Sequence, residues 1–469
     1  MRSTKNRRPR VAVLLAVCLL AVLLGGSFIC SPPLTERSAI ALGNPQPTEA
    51  VPSEILVKFR QPIVAAAQLQ IHQALGFQEL GQVEGLGVVR VGLGPDITPE
   101  EAVRLYEARP EVEYAEPNYI LRTDGIPNDP LYADRQQWYY DLIQAPTGWD
   151  IETGEPSVVV AVLDTGVDIR HPDLNAVWTN PGEIENNNKD DDGNGCVDDI
   201  HGCNFAESIT PSCHYKSTPN NTITDDVGHG TFIAGVIAAR TNNQTGVAAT
   251  APGVTIMPVK VLDCTGAGTV ASAADGVLYA ARAGADILNI SFGGDYESAA
   301  LRNALEQAHD IFGTVIVSSA GNAGKSGVAF PARFEKVIAV SASDRKNPDG
   351  KASFSNWGPE VDVTAPGVDL VSAVPQALCK ELWFCMGNQP YAVGSGTSFS
   401  TALVSGAAAL ILSRNPVMTP DEVAGQLAAT ALDLPDGAFA NWDGAGRIQI
   451  EKSLQSGVHR VGASGVTRN

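Results

Sequence analysis

Charged residues are scarce in this chain of 469 residues, and positively charged ones are the scarcer kind. Asp, Glu, Lys and Arg make up 18% of the sequence, against roughly 25% in an average globular protein. Asp and Glu number 52 against 32 for Lys and Arg, so the formal net charge is -20. Because this charge repels phosphate groups and anionic lipid surfaces, we expect no nucleic-acid partner and favour cations such as calcium.

The sequence also lacks internal repeats at a solenoid period, and it has neither a Cys-x-x-Cys pair nor two His at zinc-ligand spacing. Six of its eight cysteines lie outside the N-terminal apolar segment. This even set predicts disulfides in an exported protein, with a zinc site as the alternative. Cys379 and Cys385 are close enough in sequence to clip one loop. The pairing of the others stays open: Cys196, Cys203, Cys213 and Cys264.

Changes of pattern divide the chain into five segments. Residues 1–30 are a signal peptide or a membrane anchor, and residues 31–52, rich in Pro, Ser and Thr, are a spacer. Residues 53–122 form a small α+β domain, and residues 126–455 form a larger α/β domain. A short tail follows at residues 456–469.

The first segment has the order of an export signal, because basic residues precede an apolar run from Val11 to about Leu24. A retained anchor is the alternative, since the apolar stretch continued to Cys30 approaches the roughly 20 residues that span a bilayer. We therefore expect a secreted, extracellular protein, or one anchored to a membrane outside the cytoplasm. The basic residues are Arg2, Lys5, Arg7, Arg8 and Arg10.

Hydrophobic periodicity gives the architecture of both domains. The small domain is predicted to have strands at 54–60, 87–91 and 112–119 and helices at 63–75 and 98–108. In the larger domain, apolar β-branched runs alternate with helical patterns, which predicts a mostly parallel sheet covered on both faces. Its strand runs are 158–163, 254–262, 287–291, 315–318 and 337–340, and its helical patterns are 231–239, 270–283, 299–309 and 400–412.

Three short motifs of the larger domain carry reactive side chains. Asp164 stands between a buried strand run and Gly166, at the sheet edge where catalytic groups collect, although an Asp here can also simply cap the turn. His229 lies between two glycines at the start of an apolar helix, where an accessible imidazole suits a general base; a structural His is the alternative. Ser398 opens a long helix of small residues whose N-terminus favours negative charge, or is an ordinary N-cap.

Together these motifs follow the chain order Asp, His, Ser on an α/β pattern, which is the order found in subtilisin. The segment from about 127 to 454 resembles the subtilisin-like serine protease family through six ordered motifs. They are Asp164-Thr165-Gly166, His171-Pro172-Asp173-Leu174, Gly228-His229-Gly230-Thr231, Ser291-Phe292-Gly293-Gly294, Ala320-Gly321-Asn322 and Gly396-Thr397-Ser398.

The resemblance implies a subtilisin-like, doubly wound, mostly parallel sheet preceded by a small ferredoxin-like α+β propeptide domain. It implies a secreted serine endopeptidase of broad specificity, in which Ser398 attacks, His229 transfers the proton and Asp164 orients the imidazole. Asn322 matches the family's oxyanion donor. Two segments would bind extended protein or peptide substrates: Ser291, Phe292 and Gly293, and Gly266, Ala267 and Gly268.

The sequence departs from the family pattern at two places. Phe399-Ser400-Thr401-Ala402 replaces the usual Met-Ala-x-Pro after the nucleophile, which removes no catalytic group. An insertion at residues 186–195 places Asp190, Asp192 and Asn194 at alternate positions, with Asp198 further on. This spacing resembles the first part of a calcium loop, and a solvated acidic loop is the alternative.

A second calcium site is implied by the family resemblance alone. Its side-chain ligands would be Asp129, Asn243 and Thr245, and the carbonyl oxygens of Arg240 and Val247 would complete it. Asn204 stands where a relative has an aspartate, which lowers the ligand charge.

The small domain resembles the inhibitory propeptide of the same family, notably at residues 112–119. Such a domain would cover the substrate strands and be removed by autocleavage near residues 121–126; a permanent accessory domain is the alternative. We expect a monomer whose partners are substrates and its own propeptide. The rival functions are a catalytically silent binding module and a structural α/β protein.

Overall fold

The computed structural model describes residues 50–60, 63–83, 85–94, 97–119, 126–174, 176–209, 213, 219–379, 385–386, 389–434 and 441–456. The predicted signal segment, most of the spacer, the expected cleavage region at 121–125 and nearly all of the tail lie outside these residues. The chain divides into two compact units, Pro33–Asp124 and Gly125–Asn469. Within the described part of the chain, no helix combines the length and apolar character needed to cross a membrane.

The smaller unit is a four-stranded antiparallel sheet with two helices. Its elements are β1 (Ala50–Phe59), α1 (Ala65–Leu75), β2 (Gln78–Val83), β3 (Val88–Gly92), α2 (Pro99–Glu107) and β4 (Val112–Tyr119). The strand order β2-β3-β1-β4 is the ferredoxin-like arrangement, as predicted. Helix α2 begins at the predicted cap, where Thr98 and Glu101 form a capping box. Strand β1 starts at Ala50, inside the segment predicted as spacer.

The larger unit is built on a seven-stranded sheet in which every described pairing is parallel. Its spatial order is β11-β10-β9-β8-β5-β7-β6. The strands are β5 (Val159–Asp164), β6 (Cys203–Asn204), β7 (Thr255–Lys260), β8 (Ile287–Ile290), β9 (Val315–Ser319), β10 (Ile338–Ser343) and β11 (Val363–Pro366). A separate antiparallel pair consists of β12 (Leu370–Ala373) and β13 (Tyr391–Gly394). This confirms the predicted doubly wound α/β fold.

Helices cover both faces of this sheet. After a π-helix at Tyr132–Gln136 they are α3 (Gln137–Leu142), α4 (Ala145–Trp149), α5 (His229–Ala238), α6 (Val270–Arg282), α7 (Ala299–Asp310), α8 (Gln376–Cys379), α9 (Thr397–Arg414), α10 (Pro420–Thr430) and α11 (Ile450–Gln455). Helices α5 and α9 pack in the core on one face, and α6 and α7 pack on the other. Helix α9 is buried from Thr397 to Leu412 because its residues are small or apolar all round.

The topology places the site. Strand β5 lies between β7 and β8, so the chain passes from one side of β5 to the other as it goes from β7 to β8. A crevice forms at such a reversal, at the carboxyl edge of the strands. Asp164 ends β5, Ser291 follows β8 and Asn322 follows β9, so three of the predicted residues lie along one edge.

All six cysteines outside the N-terminal segment are paired in disulfides. They are Cys196–Cys203, Cys213–Cys264 and Cys379–Cys385. The predicted disulfides, including the 379–385 clip, are therefore present in the structure, and no thiol of this set is left for zinc.

Candidate active site

The aspartate and histidine form a buried hydrogen-bonded couple. Asp164 is fully buried at the end of β5, and His229 is the first residue of α5. Nδ1 of His229 lies 2.8 Å and 2.9 Å from the two carboxylate oxygens of Asp164. Because this bond engages Nδ1, it fixes the tautomer that leaves Nε2 to exchange a proton.

A second carboxylate supports the start of the histidine helix. Asp225 is buried, and its oxygens accept hydrogen bonds from the backbone N–H groups of Gly228 (2.8 Å) and Thr231 (2.9 Å). It also accepts a bond from the hydroxyl of Thr165, the residue after Asp164 (2.8 Å). Asp225 thus ties the turn after β5 to the start of α5. It was not predicted from the sequence, because the N-cap of α5 is Gly228 and Asp225 lies three residues before that position.

The pKa of His229 is set by opposing effects. Burial lowers it, but the negative charge and hydrogen bond of Asp164, together with the charge of Asp225, outweigh burial and raise the pKa above its ordinary value of 6.5. A general base must be neutral to accept a proton. Activity should therefore be lost as the pH falls through this raised pKa.

We expect Asp225→Asn to move the acid limb of kcat/KM to lower pH by roughly half a unit, because one of the charges that raise the pKa of His229 is removed. The measurement is the pH profile of peptide hydrolysis at constant ionic strength. Asp226→Asn removes an equal charge at the next residue and should move the midpoint of the acid limb less. An unmoved midpoint in Asp225→Asn, or equal shifts in both variants, would contradict this account of the pKa.

Ser398 lies at the same edge of the sheet as Asp164, but its hydroxyl is hydrogen-bonded to Ser291 and not to His229. Ser398 is the second residue of α9, and its Oγ donates to the carbonyl of Ser291 (3.0 Å). The hydroxyl of Ser291 donates in turn to the carbonyl of Ser398 (3.1 Å). The ring of the next residue, Phe399, packs against the imidazole of His229, with centroids 5.7 Å apart. The serine hydroxyl must therefore rotate away from Ser291 before it can bond to His229.

Asn322 presents a donor beside the serine. Its side-chain oxygen accepts bonds from the backbone N–H (2.8 Å) and the hydroxyl (2.9 Å) of Thr397. Because a backbone N–H can only donate, the amide oxygen must face Thr397, and the NH₂ group points away from it. Asn322 and Ser398 both line one cavity.

The walls of this cavity include the predicted substrate segment Ser291, Phe292 and Gly293. A Cβ at Gly293 would lie 2.6 Å from the carbonyl oxygen of Phe330, so a larger residue does not fit. Asn356, which the sequence analysis missed, lines the cavity and accepts a bond from the N–H of Ala323 (3.0 Å). No motif in the sequence distinguishes it from an ordinary loop asparagine.

The other predicted substrate segment, Gly266, Ala267 and Gly268, does not line the cavity. It forms a tight turn in which the N–H of Asp263 donates to the carbonyl of Ala267 (2.6 Å), with Gly266 at φ +75°. The disulfide Cys213–Cys264 holds this turn at Cys264.

A buried cation lies behind the couple. Lys260 pairs with Asp164 in the register of β5 and β7 and has no exposed surface. Its ammonium group donates to the carbonyl of Thr165, to that of Thr224 (2.9 Å) and to Asp226 (3.1 Å). It joins the turn after Asp164 to the loop before His229. The sequence analysis took the run 254–262 as an apolar strand and so overlooked this residue.

Most of the residues predicted for the second calcium site lie close together in the structure. Asp129 accepts the backbone N–H groups of Asn242 (2.8 Å) and Asn243 (3.3 Å). The side chain of Asn243 and the N–H of Val247 donate to Asp173, at 2.7 Å and 3.0 Å. The backbone N–H of Thr245 donates to the side-chain oxygen of Asn243, and the backbone N–H of Arg240 donates to the carbonyl oxygen of Asp173.

Asp173 takes the place that the sequence analysis gave to Asn204. Asn204 lies on β6, pairs with Asn220 and accepts a bond from Ala206 (2.9 Å), and none of its described contacts reaches Asp129. Asp173 belongs to the His171–Leu174 motif, so the signal was present but was not read as a ligand. Burial raises the pKa of Asp129 and raises that of Asp173 to about 6, although the hydrogen bonds that both carboxylates accept act in the opposite direction.

The carboxylates that cluster at the insertion share only Asp192 with the predicted set. The carboxylate of Asp190 accepts backbone bonds from Asn194 and Gly195, and that of Asp198 accepts them from Asn187 and Asn188. These two residues shape the loop. Asn194 turns its amide nitrogen, not its oxygen, toward Asp192 and Asp199. The carboxylates that lie within 4.8 Å of one another are Glu183, Asp192 and Asp199.

An α/β serine hydrolase is the class of protein that this fold and site define. The chain belongs to the subtilase family, whose model matches residues 155–446. A model of the fervidolysin N-terminal prodomain matches residues 37–118. The protein is therefore a subtilisin-like serine endopeptidase with a prodomain.

Individual relatives agree with this assignment. The chain is 36% identical over 372 residues to the thermophilic serine proteinase of Bacillus sp. (strain AK1), covering 78% of this chain and 79% of the relative. It is 36% identical over 329 residues to thermitase of Thermoactinomyces vulgaris, covering 70% and 99%. A solved protease structure from Pseudoalteromonas arctica superposes with a TM-score of 0.57 at 29% identity, covering 70% of this chain and 99% of that one.

Proposed function

We propose that the mature protein is a secreted endopeptidase of broad specificity that works through an acyl-enzyme intermediate. The bond between Nδ1 of His229 and Asp164 is the observation that carries this proposal. It prepares Nε2 as the base that takes the proton of Ser398, once the hydroxyl has turned from Ser291. Asp164 then stabilises the imidazolium ion.

The remaining steps use groups on the cavity wall. The attacked carbonyl oxygen becomes negative, and the NH₂ group of Asn322 together with the backbone N–H of Ser398 would stabilise it. When the peptide bond breaks, His229 returns the proton to the leaving amine. A water molecule activated by the same imidazole then hydrolyses the acyl-enzyme.

The two glycine-containing segments account for broad specificity. Peptide substrates bound as extended strands are held mainly through their backbone, which every residue shares. We propose that Ser291–Gly293 and Gly266–Gly268 contribute that pairing. Their small residues leave the rims open to many side chains.

Labelling with a fluorophosphonate probe tests the catalytic proposal. The mature protein should hydrolyse casein, and the probe should modify Ser398 and stop the hydrolysis. A mature protein that resists the probe, or that leaves casein intact, would show that the fold is retained for binding or structure alone.

We also propose that calcium stabilises the larger unit. The site of Asp129, Asp173 and Asn243 fits this ion, because two buried carboxylates and nearby amide, hydroxyl and carbonyl oxygens are hard ligands. The ion would offset the cost of burying two negative charges among neutral donors. The cluster of Glu183, Asp192 and Asp199 offers a second set of hard ligands.

Excess EDTA should lower the melting temperature of the mature protein by about 5 °C or more, since an ion bound only by the folded state stabilises it. Asp173→Asn should remove most of the effect of EDTA on the melting temperature. Any effect that remains is assigned to the cluster of Glu183, Asp192 and Asp199. Asp150→Asn changes an exposed carboxylate and should keep the full EDTA effect. Equal melting temperatures with and without EDTA would rule out both sites.

The small unit is proposed as an intramolecular inhibitor that the enzyme removes itself, in agreement with the match to a prodomain. Export would follow from residues 1–30, and the mature protein would be a monomer. N-terminal sequencing of the purified protein tests the removal of residues 1–30 and the removal of the small unit. A mature start near residues 121–126 is expected, whereas an intact small unit would identify it as a permanent domain.

A further inference from the structure

An ion pair lies on the wall of the cavity that contains Ser398. Nζ of Lys325 is 2.6 Å from a carboxylate oxygen of Asp295, and their side chains are 47% and 67% exposed. Both residues line the cavity, and its other lining residues are uncharged. The pair therefore carries all of the formal charge among the residues that line the cavity, and this charge sums to zero.

The backbone on both sides of the pair is fixed. Gly294, which precedes Asp295, exchanges two backbone hydrogen bonds of 2.9 Å with Phe330. The N–H of Lys325 donates to the side chain of Asn356 (3.3 Å). The two charged side chains thus extend from backbone that is held by hydrogen bonds.

Two other charged residues of this region, Arg333 and Glu360, are engaged with other partners. The guanidinium of Arg333 lies over the ring of Phe330, 5.1 Å from its centroid, and pairs with Glu360 at 3.4 Å. Neither residue lines the cavity. A charged group that enters the cavity meets Asp295 and Lys325 first.

The cavity receives a defined part of the substrate if the proposed function is correct, and the inference rests on that function. Ser398 attacks a carbonyl carbon whose oxygen Asn322 binds, and both residues lie on the cavity wall. The side chain that enters the cavity therefore belongs to the residue that carries this carbonyl. That residue is the one immediately before the cleaved bond.

We propose that Asp295 and Lys325 determine how the enzyme treats charge at the residue before the cleaved bond. Exposed ion pairs contribute little stability and are screened by salt, so a substrate can open this one. A cationic side chain then pairs with Asp295, and an anionic one pairs with Lys325. The intact pair makes the enzyme tolerant of both signs, and the loss of either partner makes it selective.

The test compares three peptides that differ only in having Phe, Glu or Lys before the cleaved bond. Mature wild type, Asp295→Asn, Lys325→Gln and the double variant are titrated for active sites, and kcat/KM is measured for each peptide. Values for Glu and Lys are divided by the Phe value of the same variant, which cancels general losses of activity.

Asp295→Asn should raise the Glu-to-Lys ratio by about three- to tenfold over wild type, and Lys325→Gln should lower it by a similar factor. The double variant should return the ratio toward the wild-type value. The two single-variant shifts should shrink in 1 M salt, where the Debye length is about 3 Å.

The possible results test the role of the ion pair separately from the proposed function. Cleavage of all three peptides with the same Glu-to-Lys ratio in every variant would overturn the inference alone. Shifts in the same direction in both single variants would overturn it as well. Failure of the wild type to cleave any of the peptides would overturn the proposed function, and the inference with it.

Discussion

Ser398→Ala should reduce kcat for peptide hydrolysis by about 10⁶-fold while leaving the protein folded, because it removes the oxygen that is proposed to attack the carbonyl. His229 and Asp164 cannot compensate, since they act only by moving the serine's proton. A residual rate above that of water should persist through Asn322 and substrate binding. The measurement is kcat on a chromogenic peptide, with the melting temperature as a check of folding.

Ser400→Ala provides the matched control in the same helix. Its hydroxyl is buried and donates to the carbonyls of Ala365 and Pro366, so the change removes hydrogen bonds from α9 without touching the site. We expect it to lower the melting temperature but to keep activity within about tenfold. Comparable losses of kcat in both variants would show that Ser398 matters for the helix rather than for the chemistry.

Asn322→Ala should lower kcat by about 10²- to 10³-fold with a much smaller change in KM, because the NH₂ group meets the substrate oxygen only once it becomes negative. The same change also removes the oxygen that holds Thr397, the residue before Ser398. Loss of a donor and displacement of the nucleophile would therefore look alike in this variant. Steady-state kinetics alone do not distinguish the two causes.

Asn322→Asp separates them. The carboxylate keeps an oxygen for the N–H and hydroxyl of Thr397, so the start of α9 stays held, but it offers a negative charge where a donor is needed. We expect a melting temperature near that of wild type and a loss of kcat at least as large as in Asn322→Ala. Recovery of activity in the Asp variant would refute the oxyanion role and leave Asn322 as an anchor for Thr397.

The fold was predictable wherever burial imposes a period on the sequence. The strand run 158–163 became β5, the helical pattern 270–283 became α6, and the long small-residue pattern became α9. Strand β2 was missed because most of its side chains are exposed, so no alternation marks it. Strand β11 has four buried residues and ends in a proline, which is too short for any period to show.

The site was predictable only in part, for a related reason. The predictions for Asp164, His229, Ser398 and Asn322 rested on motifs of neighbouring residues. Lys260 acts through contacts with residues distant in sequence, and Asp225 does so through Thr165, and such contacts leave no local signal. Asp173 stands in one of the six motifs, but its contacts with Asn243 and Val247 cannot be read from that motif. The role of Asn356 depends on its amide reaching the backbone of another loop. In the insertion, alternate spacing does not tell whether a carboxylate faces an ion or its own backbone, so the sequence did not indicate that Glu183 and Asp199 lie beside Asp192.

Helix α9 holds Ser398 on its second residue and runs buried through the middle of the larger unit. The nucleophile is thus part of the core and has no surface segment of its own that could loosen at moderate temperature. Heat should therefore displace Ser398 only when it unfolds the core. We expect activity and folded structure to be lost over the same temperature range.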